Sequence, residues 1–239
     1  MKIEGRNAVE ELVKSCKAID KIIVQEGTRD REARELLALI KSSGIKVQFA
    51  DKSALDRQSV TRRHQGFIAF AEEYEYTETE DILNACTGDD IVVVLDGIVD
   101  PHNLGSIIRV CECAGVKGII IGKNRSAGVT ENVIRISEGS ANHMKIAKVN
   151  NINSTIDEFK EKGFWADALE VGGQSLYSTD LTGKALIVVG GEDTGVGRLT
   201  RQKCDVTLEI PLAGKVNSLN ASVACGIAVF ESVRQRRAK

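Results

Sequence analysis

No apolar run in this chain of 239 residues approaches the roughly 20 needed to cross a membrane, so no membrane partner is expected. Nor does its start, Met1-Lys2-Ile3-Glu4-Gly5-Arg6, hold the hydrophobic core of a secretion leader, and a cytoplasmic protein is expected. A disulfide framework is missing too. Cys16, Cys86, Cys111, Cys113, Cys204 and Cys225 fall in or beside segments that read as helices and strands, as free thiols of a reducing compartment do. Cys111-x-Cys113 lacks a companion His or Cys at ligand spacing, so no metal is expected. Aromatic residues make up only 4% of the chain, which argues against recognition of single strands by base stacking. Global basicity is absent as well, at a net charge of −2, but charge is unevenly shared. Residues 1–71 carry 14 Lys+Arg against 10 Asp+Glu, and the remainder 18 against 24. A mildly basic first part suits RNA contact, and ordinary surface variation explains it equally well.

What is there reads as two α/β domains. The stretch Glu72 to Asp81 holds six acids and no aliphatic residue, which predicts a solvated linker over 72–81 between a domain at 1–71 and another at 82–239. In the first, helical patterns at Ala8–Val13 and Leu36–Ile40 alternate with strands at Lys21–Val24, Ile45–Phe49 and Gly66–Phe70. In the second, the strands are nearly continuous apolar runs: Ile91–Leu95, Gly118–Ile121, Gly163–Ala166, Leu186–Val189 and Val206–Ile210. Such runs predict a parallel sheet covered on both faces. A final helix is expected over 218–236, its terminal arginines complementing the helix dipole.

Open α/β sheets bind ligands beyond the carboxyl ends of their strands, and three polar segments fall there. Asp96 to Arg109 runs from a strand into a helix, with Asn103 placed to cap it and Arg109 set among Ile107, Ile108, Val110 and Cys111. An arginine among aliphatics needs a carboxylate partner or an anionic ligand. Gly190-Gly191-Glu192-x-x-Gly195 allows close backbone approach but is neither a dinucleotide fingerprint nor a P-loop. Its Glu suits hydroxyls, an amino group or positive charge. Asn217-Ser218-Leu219-Asn220-Ala221-Ser222 places capping side chains at the start of the last helix.

Asp100-Pro101-His102-Asn103-Leu104-Gly105 with Arg109, the Gly190 to Gly195 loop, and Ile210-Pro211-x-x-Gly214 with Ser218-Leu219-Asn220-x-Ser222 together resemble the three signature motifs of the SpoU (TrmH-like) RNA 2′-O-methyltransferases of the SPOUT superfamily. Gly5 to Leu12 and His64-Gln65-Gly66 are similar to the N-terminal RNA-binding domain of the subfamily that methylates a guanosine ribose in large-subunit rRNA. The chain departs from the pattern at Ala221 (usually Val), at Asp193-Thr194 (commonly Gly-Lys), and near Asn142 and Lys145, where an acid and a Pro are absent.

The resemblance implies a parallel-sheet SPOUT domain with a deep trefoil knot behind a small α/β RNA-binding domain, S-adenosyl-L-methionine as cofactor, and a homodimer with its active site at the interface. It implies a cofactor site at Gly190, Gly191, Glu192, Gly195, Ile210, Leu212, Ser218, Leu219 and Asn220, and catalytic roles for Arg109, Asn103, Glu192, Asn220 and Ser218. A guanidinium with pKa above ~12 is a poor base, so Arg109 is read as holding the neighbouring phosphate and developing alkoxide. Arg6, Asn7, Arg62, Arg63 and His64 are the candidates for RNA contact. The expected reaction is methyl transfer to a guanosine 2′-hydroxyl of large-subunit rRNA. A tRNA ribose methyltransferase and a catalytically silent ribosome-assembly factor are the alternatives.

Overall fold

The computed structural model describes residues 2–14, 19–28, 30–59, 62–71, 74–215 and 217–238. They form two units, 1–74 and 75–239. In the first, β1 (Lys2–Glu4), α1 (Arg6–Lys14), β2 (Ile19–Gln25), α2 (Arg31–Ser42), β3 (Val47–Ala50), α3 (Lys52–Gln58) and β4 (Phe67–Ala71) build a sheet of order β1-β4-β2-β3. Val9 and Leu12 of α1 and Leu36 and Ile40 of α2 bury against Ile22, Val24 and Phe67 of the sheet. Leu55 of α3 covers Ile23 and Ile68 on the other face. Asp30 and Asp51 cap α2 and α3 by accepting from the N–H of Ala33 and Ala54. The sequence reading did not include β1, whose three residues are too few to show alternation.

The second unit contains α4 (Thr79–Ala85), β5 (Ile91–Asp96), α5 (Pro101–Ala114), β6 (Gly118–Gly122), α6 (Glu131–Ile136), β7 (Ile146–Val149), α7 (Ile152–Glu161), β8 (Trp165–Ser175), β9 (Ala185–Gly190), α8 (Arg198–Lys203), β10 (Val206–Glu209) and α9 (Ala221–Arg237). Its six strands pair in parallel in the order β10-β8-β9-β5-β6-β7. On one face Val92, Val94, Ile120, Leu186 and Val188 pack under Ile82 of α4 and Ile156 and Phe159 of α7. Beside the sheet α5 packs on α9. Contact with Cys225 and burial push the Cys111 thiol well up. A Cβ on Gly105 would strike Ile136 at 2.7 Å, so a glycine is what lets α6 approach α5. No helix among the described residues is long and apolar enough to cross a membrane.

Four expectations need correction. Glu72 and Glu73 lie outside the described residues, but the rest of the acidic stretch is not a free linker. The Tyr76 hydroxyl accepts from Val129 N at 2.9 Å, Thr77 N donates to Ile146 O at 2.9 Å, and the Asp81 carboxylate accepts from Glu78 N at 3.3 Å. Acids in a first helical turn are favourable, so the composition that reads as solvated also starts α4. Asp100, not Asn103, caps α5, accepting from His102 N at 2.9 Å. The last helix begins at Ala221, with Asn220 as its cap. Its terminal Arg236 binds the carbonyls of Asp89, Leu181 and Gly183 rather than only facing the dipole.

β8 continues well past Ala166. It pairs with β10 at Ala168↔Thr207 and resumes at Gln174↔Leu208, so residues 169–173 have no partner in β10, while Leu169 still pairs with Val189 of β9. That excursion stands at the carboxyl edge of the sheet, where the polar segments collect.

A candidate active site at the carboxyl ends of the strands

Three side chains far apart in sequence meet there. The Asn220 Nδ2 donates to Asn103 Oδ1 at 2.8 Å and to Glu192 Oε1 at 2.5 Å. Each comes from a different strand-to-helix connection. Asn103 sits in the first turn of α5, buried; Glu192 is in the loop after β9; Asn220 precedes α9. Asn220 is held from the other side, since its Oδ1 accepts from Ser222 N at 3.0 Å, Ser222 Oγ at 2.6 Å and Val223 N at 3.3 Å. The amide is thereby fixed in one orientation, with its NH₂ aimed at two acceptors.

Glu192 forms part of the rim of a cleft with about 630 Å³ of empty space including its mouth. Gly190, Gly191, Gly195, Ile210, Leu212, Ser218 and Leu219 line it, so eight of the nine residues expected to hold the cofactor share one wall. The ninth, Asn220, touches that wall through Glu192. The Gly190–Gly195 loop is folded tightly: a Cβ on Gly190 would overlap the Gly195–Val196 peptide, and one on Gly191 would meet Gly97 O. Glu170 holds this turn, its Oε2 accepting from Val196 N at 2.9 Å. Val189, Ala221 and Ala224 add apolar surface, and Glu209 a carboxylate.

Leu169, Glu170 and Val171 also line the cleft and were absent from the sequence-level site. Their signal was position: they directly follow an apolar strand. A strand that leaves its ladder at that point was not readable from residue types.

Arg109 is elsewhere. It does not line this cleft, and its Nη1 meets Glu138 Oε1 at 2.7 Å, with 49% of its side chain exposed. Six residues along α5 turn it about 120° away from Asn103. The expected N-terminal contacts divide. Arg6 is taken by Asp30 at 2.7 Å and by Gln65 O at 3.3 Å. His64 is buried, with Nε2 3.0 Å from Asp56 Oδ1 and Nδ1 accepting from Gly66 N at 3.0 Å, so the Nε2–H tautomer satisfies both nitrogens. Both are better explained as parts of the unit's framework. Asn7, Arg62 and Arg63 are exposed. Among the described residues no group of three His, Cys, Asp or Glu has metal-holding geometry.

The pattern of the SpoU rRNA Methylase family matches residues 90–230, and that for RNA 2′-O ribose methyltransferase substrate binding matches residues 2–77. A Bacillus subtilis protein named as a TrmH family tRNA/rRNA methyltransferase is 38% identical over 236 residues, 97% of this chain and 94% of its own. A Staphylococcus aureus protein with the same family name is 40% identical over 238 residues, covering 98% and 96%. Among solved structures, the SpoU methyltransferase AviRb of Streptomyces viridochromogenes in complex with AdoMet superimposes with a TM-score of 0.68 at 23% identity, covering 100% of this chain and 91% of that one. The A. aeolicus TrmH/SpoU tRNA modifying enzyme gives 0.58 at 31% identity, covering 63% and 77%.

Proposed function

Because the chain belongs to the SpoU methylase family of TrmH-like RNA methyltransferases, we propose that it transfers a methyl group from S-adenosylmethionine to the ribose 2′-hydroxyl of a guanosine in large-subunit rRNA. The observation that carries this is the Asn103–Asn220–Glu192 bridge at the edge of a cleft. A purely structural polar bridge would be buried and complete, whereas Glu192 is exposed and keeps a second oxygen for a ligand.

The cleft suits the cofactor. Ile210, Leu219, Ala221 and Ala224 offer apolar surface for an adenine, and the tight Gly190–Gly195 loop offers backbone groups at close range. Glu170, Glu192 and Glu209 offer acceptors for sugar hydroxyls, an amino group or a positive sulfur. S-adenosylmethionine, when bound, supplies a methyl group already activated by its sulfonium. What remains for the chain is to align the ribose hydroxyl and stabilise the oxygen as its proton leaves. Asn103 and Glu192 hold the hydroxyl and the ribose beside the cleft, and Ser218 and Asn220 shape the wall behind them.

Arg109 stabilises the developing alkoxide and the adjoining phosphate from a second copy of the chain. Its position away from Asn103 supports that arrangement, as does the apolar face of α9, where Val223 is 50% and Phe230 48% exposed. This reading makes the active form a homodimer. It also includes a trefoil knot threaded by the segment that runs from β10, at the sheet edge, back to α9 beside α5. The first unit delivers the RNA, with Asn7, Arg62 and Arg63 as its exposed polar contacts.

The test is transfer of labelled methyl from S-adenosylmethionine to unmodified large-subunit rRNA and, separately, to unmodified tRNA, followed by nucleoside analysis. Label on a guanosine 2′-oxygen from rRNA is expected. Label only on tRNA would move the substrate to tRNA. Failure on both, with no cofactor bound, would make the chain a silent scaffold.

A further inference from the structure

A second cleft, larger and polar, lies against the first. Its walls are Asp96–Asn103, Gly122–Arg125, Asn150–Asn153 and Gly191–Thr200, the connections that leave β5, β6, β7 and β9. Gly191, Glu192 and Gly195 line both clefts, so the two meet at one loop. Asn103, on the far side of Glu192's hydrogen-bond bridge, opens into the second cleft only.

The chemistry of this cleft is graded across it. In sheet order the walls run β9, β5, β6, β7. The β9 and β5 walls hold Asp96, Asp100, Glu192 and Asp193. Asp96, Asp100 and Glu192 already accept from Gly197 N, His102 N and Asn220 Nδ2. The β6 wall holds Lys123 and Arg125, and Arg198 enters as the first residue of α8. These three cations pair with no carboxylate among the described residues, whereas Lys117, Lys160 and Lys203 of the same unit are paired. The β7 wall is amide-rich, with Asn150, Asn151 and Asn153 facing Asn124. Asn153 Oδ1 is shielded from water and has no hydrogen-bond partner, a costly state for an amide oxygen. Asn151 caps α7, which directs a ten-residue helix N-terminus at the same space.

Resting on the methyltransferase reading above, we propose that this second cleft holds the RNA strand itself at the methylated nucleotide. The ribose lies where the two clefts meet at the Gly191–Gly195 loop, beside Glu192 and Asn103. The flanking phosphates lie on Lys123, Arg125 and Arg198, and a base edge meets Asn124 and, once its amide turns out of the shielded position, Asn153. Donor and acceptor thus occupy clefts that open onto each other beside Glu192, where the ribose oxygen reaches the methyl carbon directly, and the catalytic unit carries RNA contacts of its own, independent of residues 1–74.

The full-length protein tests this with in vitro-transcribed, unmodified large-subunit rRNA. Lys123→Ala/Arg125→Ala is expected to weaken filter binding about tenfold at moderate salt and to reduce the slope of log affinity against log salt by about 1 to 2, the loss of two phosphate contacts. The RNA KM rises to match, while kcat and S-adenosylmethionine binding stay within twofold, which also shows that the fold survives. Asn153→Ala is expected to raise the RNA KM with no change in salt slope, because an amide contact releases no counterion. Lys117→Ala/Lys162→Ala removes the same charge at the opposite end of the sheet and should leave the slope unchanged. An unchanged slope and affinity for the Lys123/Arg125 variant, or an equal loss in the Lys117/Lys162 control, overturns the proposal. If wild type binds the RNA but methylates neither RNA substrate, the proposed function fails, and filter binding alone still decides the cleft.

Discussion

Asn220 holds two sets of partners at once: its Oδ1 caps α9 through Ser222 and Val223, and its Nδ2 joins Asn103 to Glu192. These roles separate under substitution. Asn220→Asp keeps the capping oxygen but exchanges the donor for a second carboxylate beside Glu192. Methyl transfer should fall by about 10²-fold or more, with thermal stability near wild type. Asn220→Ala should lose both functions, with about 1 kcal/mol of stability gone as well. Wild-type turnover in Asn220→Asp would remove the bridge from the mechanism.

Asp167 poses a different residue-scale problem. It lies in β8, buried, with Oδ1 unpartnered. Burial and the nearby Asp205 charge raise its pKa to about 7, against a smaller opposing pull from Arg236. A carboxyl raised in the folded state binds its proton more tightly there than in the unfolded chain. Its contribution is therefore most favourable at low pH and is lost as pH rises from about 4 to 7. Asn stays neutral throughout. The stability advantage of Asp167→Asn over wild type should therefore grow by about 2–3 kcal/mol between pH 5 and pH 8, measured by denaturant unfolding. A pH-independent difference would mean that Asp167 is already ionised in the folded protein across the whole range, as it is in the unfolded chain.

At the scale of elements, α9 ties the site to the rest of the sheet. Its first residues, Ala221 and Ala224, line the first cleft, and its last turn is clasped to residues 179–183. Arg236 donates to Leu181 O at 2.6 Å, Gly183 O at 2.5 Å and Asp89 O at 3.0 Å, and to the Ser232 hydroxyl. Arg236→Ala leaves those carbonyls without their charged donor and should cost roughly 2–4 kcal/mol. Arg236→Lys, which cannot fork across three carbonyls, should recover only part of it. Calorimetric melting of the two variants checks both.

This clasp illustrates where the sequence was legible and where it was not. Ile91–Leu95 and Leu186–Val189 announced themselves, because strands buried on both faces must be apolar throughout. The capping chemistry of Asn220 was legible for the same reason, being local. Arg236 read as a dipole partner because its carbonyls lie 53 to 147 residues away. The bridge from Asn220 to Asn103 spans 117 residues, and only the motif resemblance put the two in one site. Asn103 was misread as a cap because Asp100 and Pro101 compete for that place, and the residue before a proline is the one held extended. β7, four residues broken by Lys148, offered too short a pattern to notice.

At the scale of the whole molecule, Arg109 and the Asn103–Asn220–Glu192 bridge stand apart within one chain. An exposed ion pair such as Arg109–Glu138 contributes about 0–1 kcal/mol, so the guanidinium is easily given up to a phosphate or an alkoxide. Within one chain neither cleft includes it. If Arg109 of one copy completes the cleft of another, two inactive chains can restore each other. Arg109→Ala and Glu192→Gln should each be inactive alone. In a heterodimer purified on two different tags, one site would combine the intact Arg109 of one chain with the intact Glu192 of the other, and the second site would lack both. Activity should return to about half that of wild type, because a two-fold dimer has two equivalent sites and one is whole. If Arg109 acts within its own chain, both sites of the heterodimer are damaged and no activity returns. Inactivity of the heterodimer with S-adenosylmethionine still bound would place Arg109 and Glu192 on the same chain's reaction centre and require α5 to move, releasing Arg109 from Glu138 toward its own cleft.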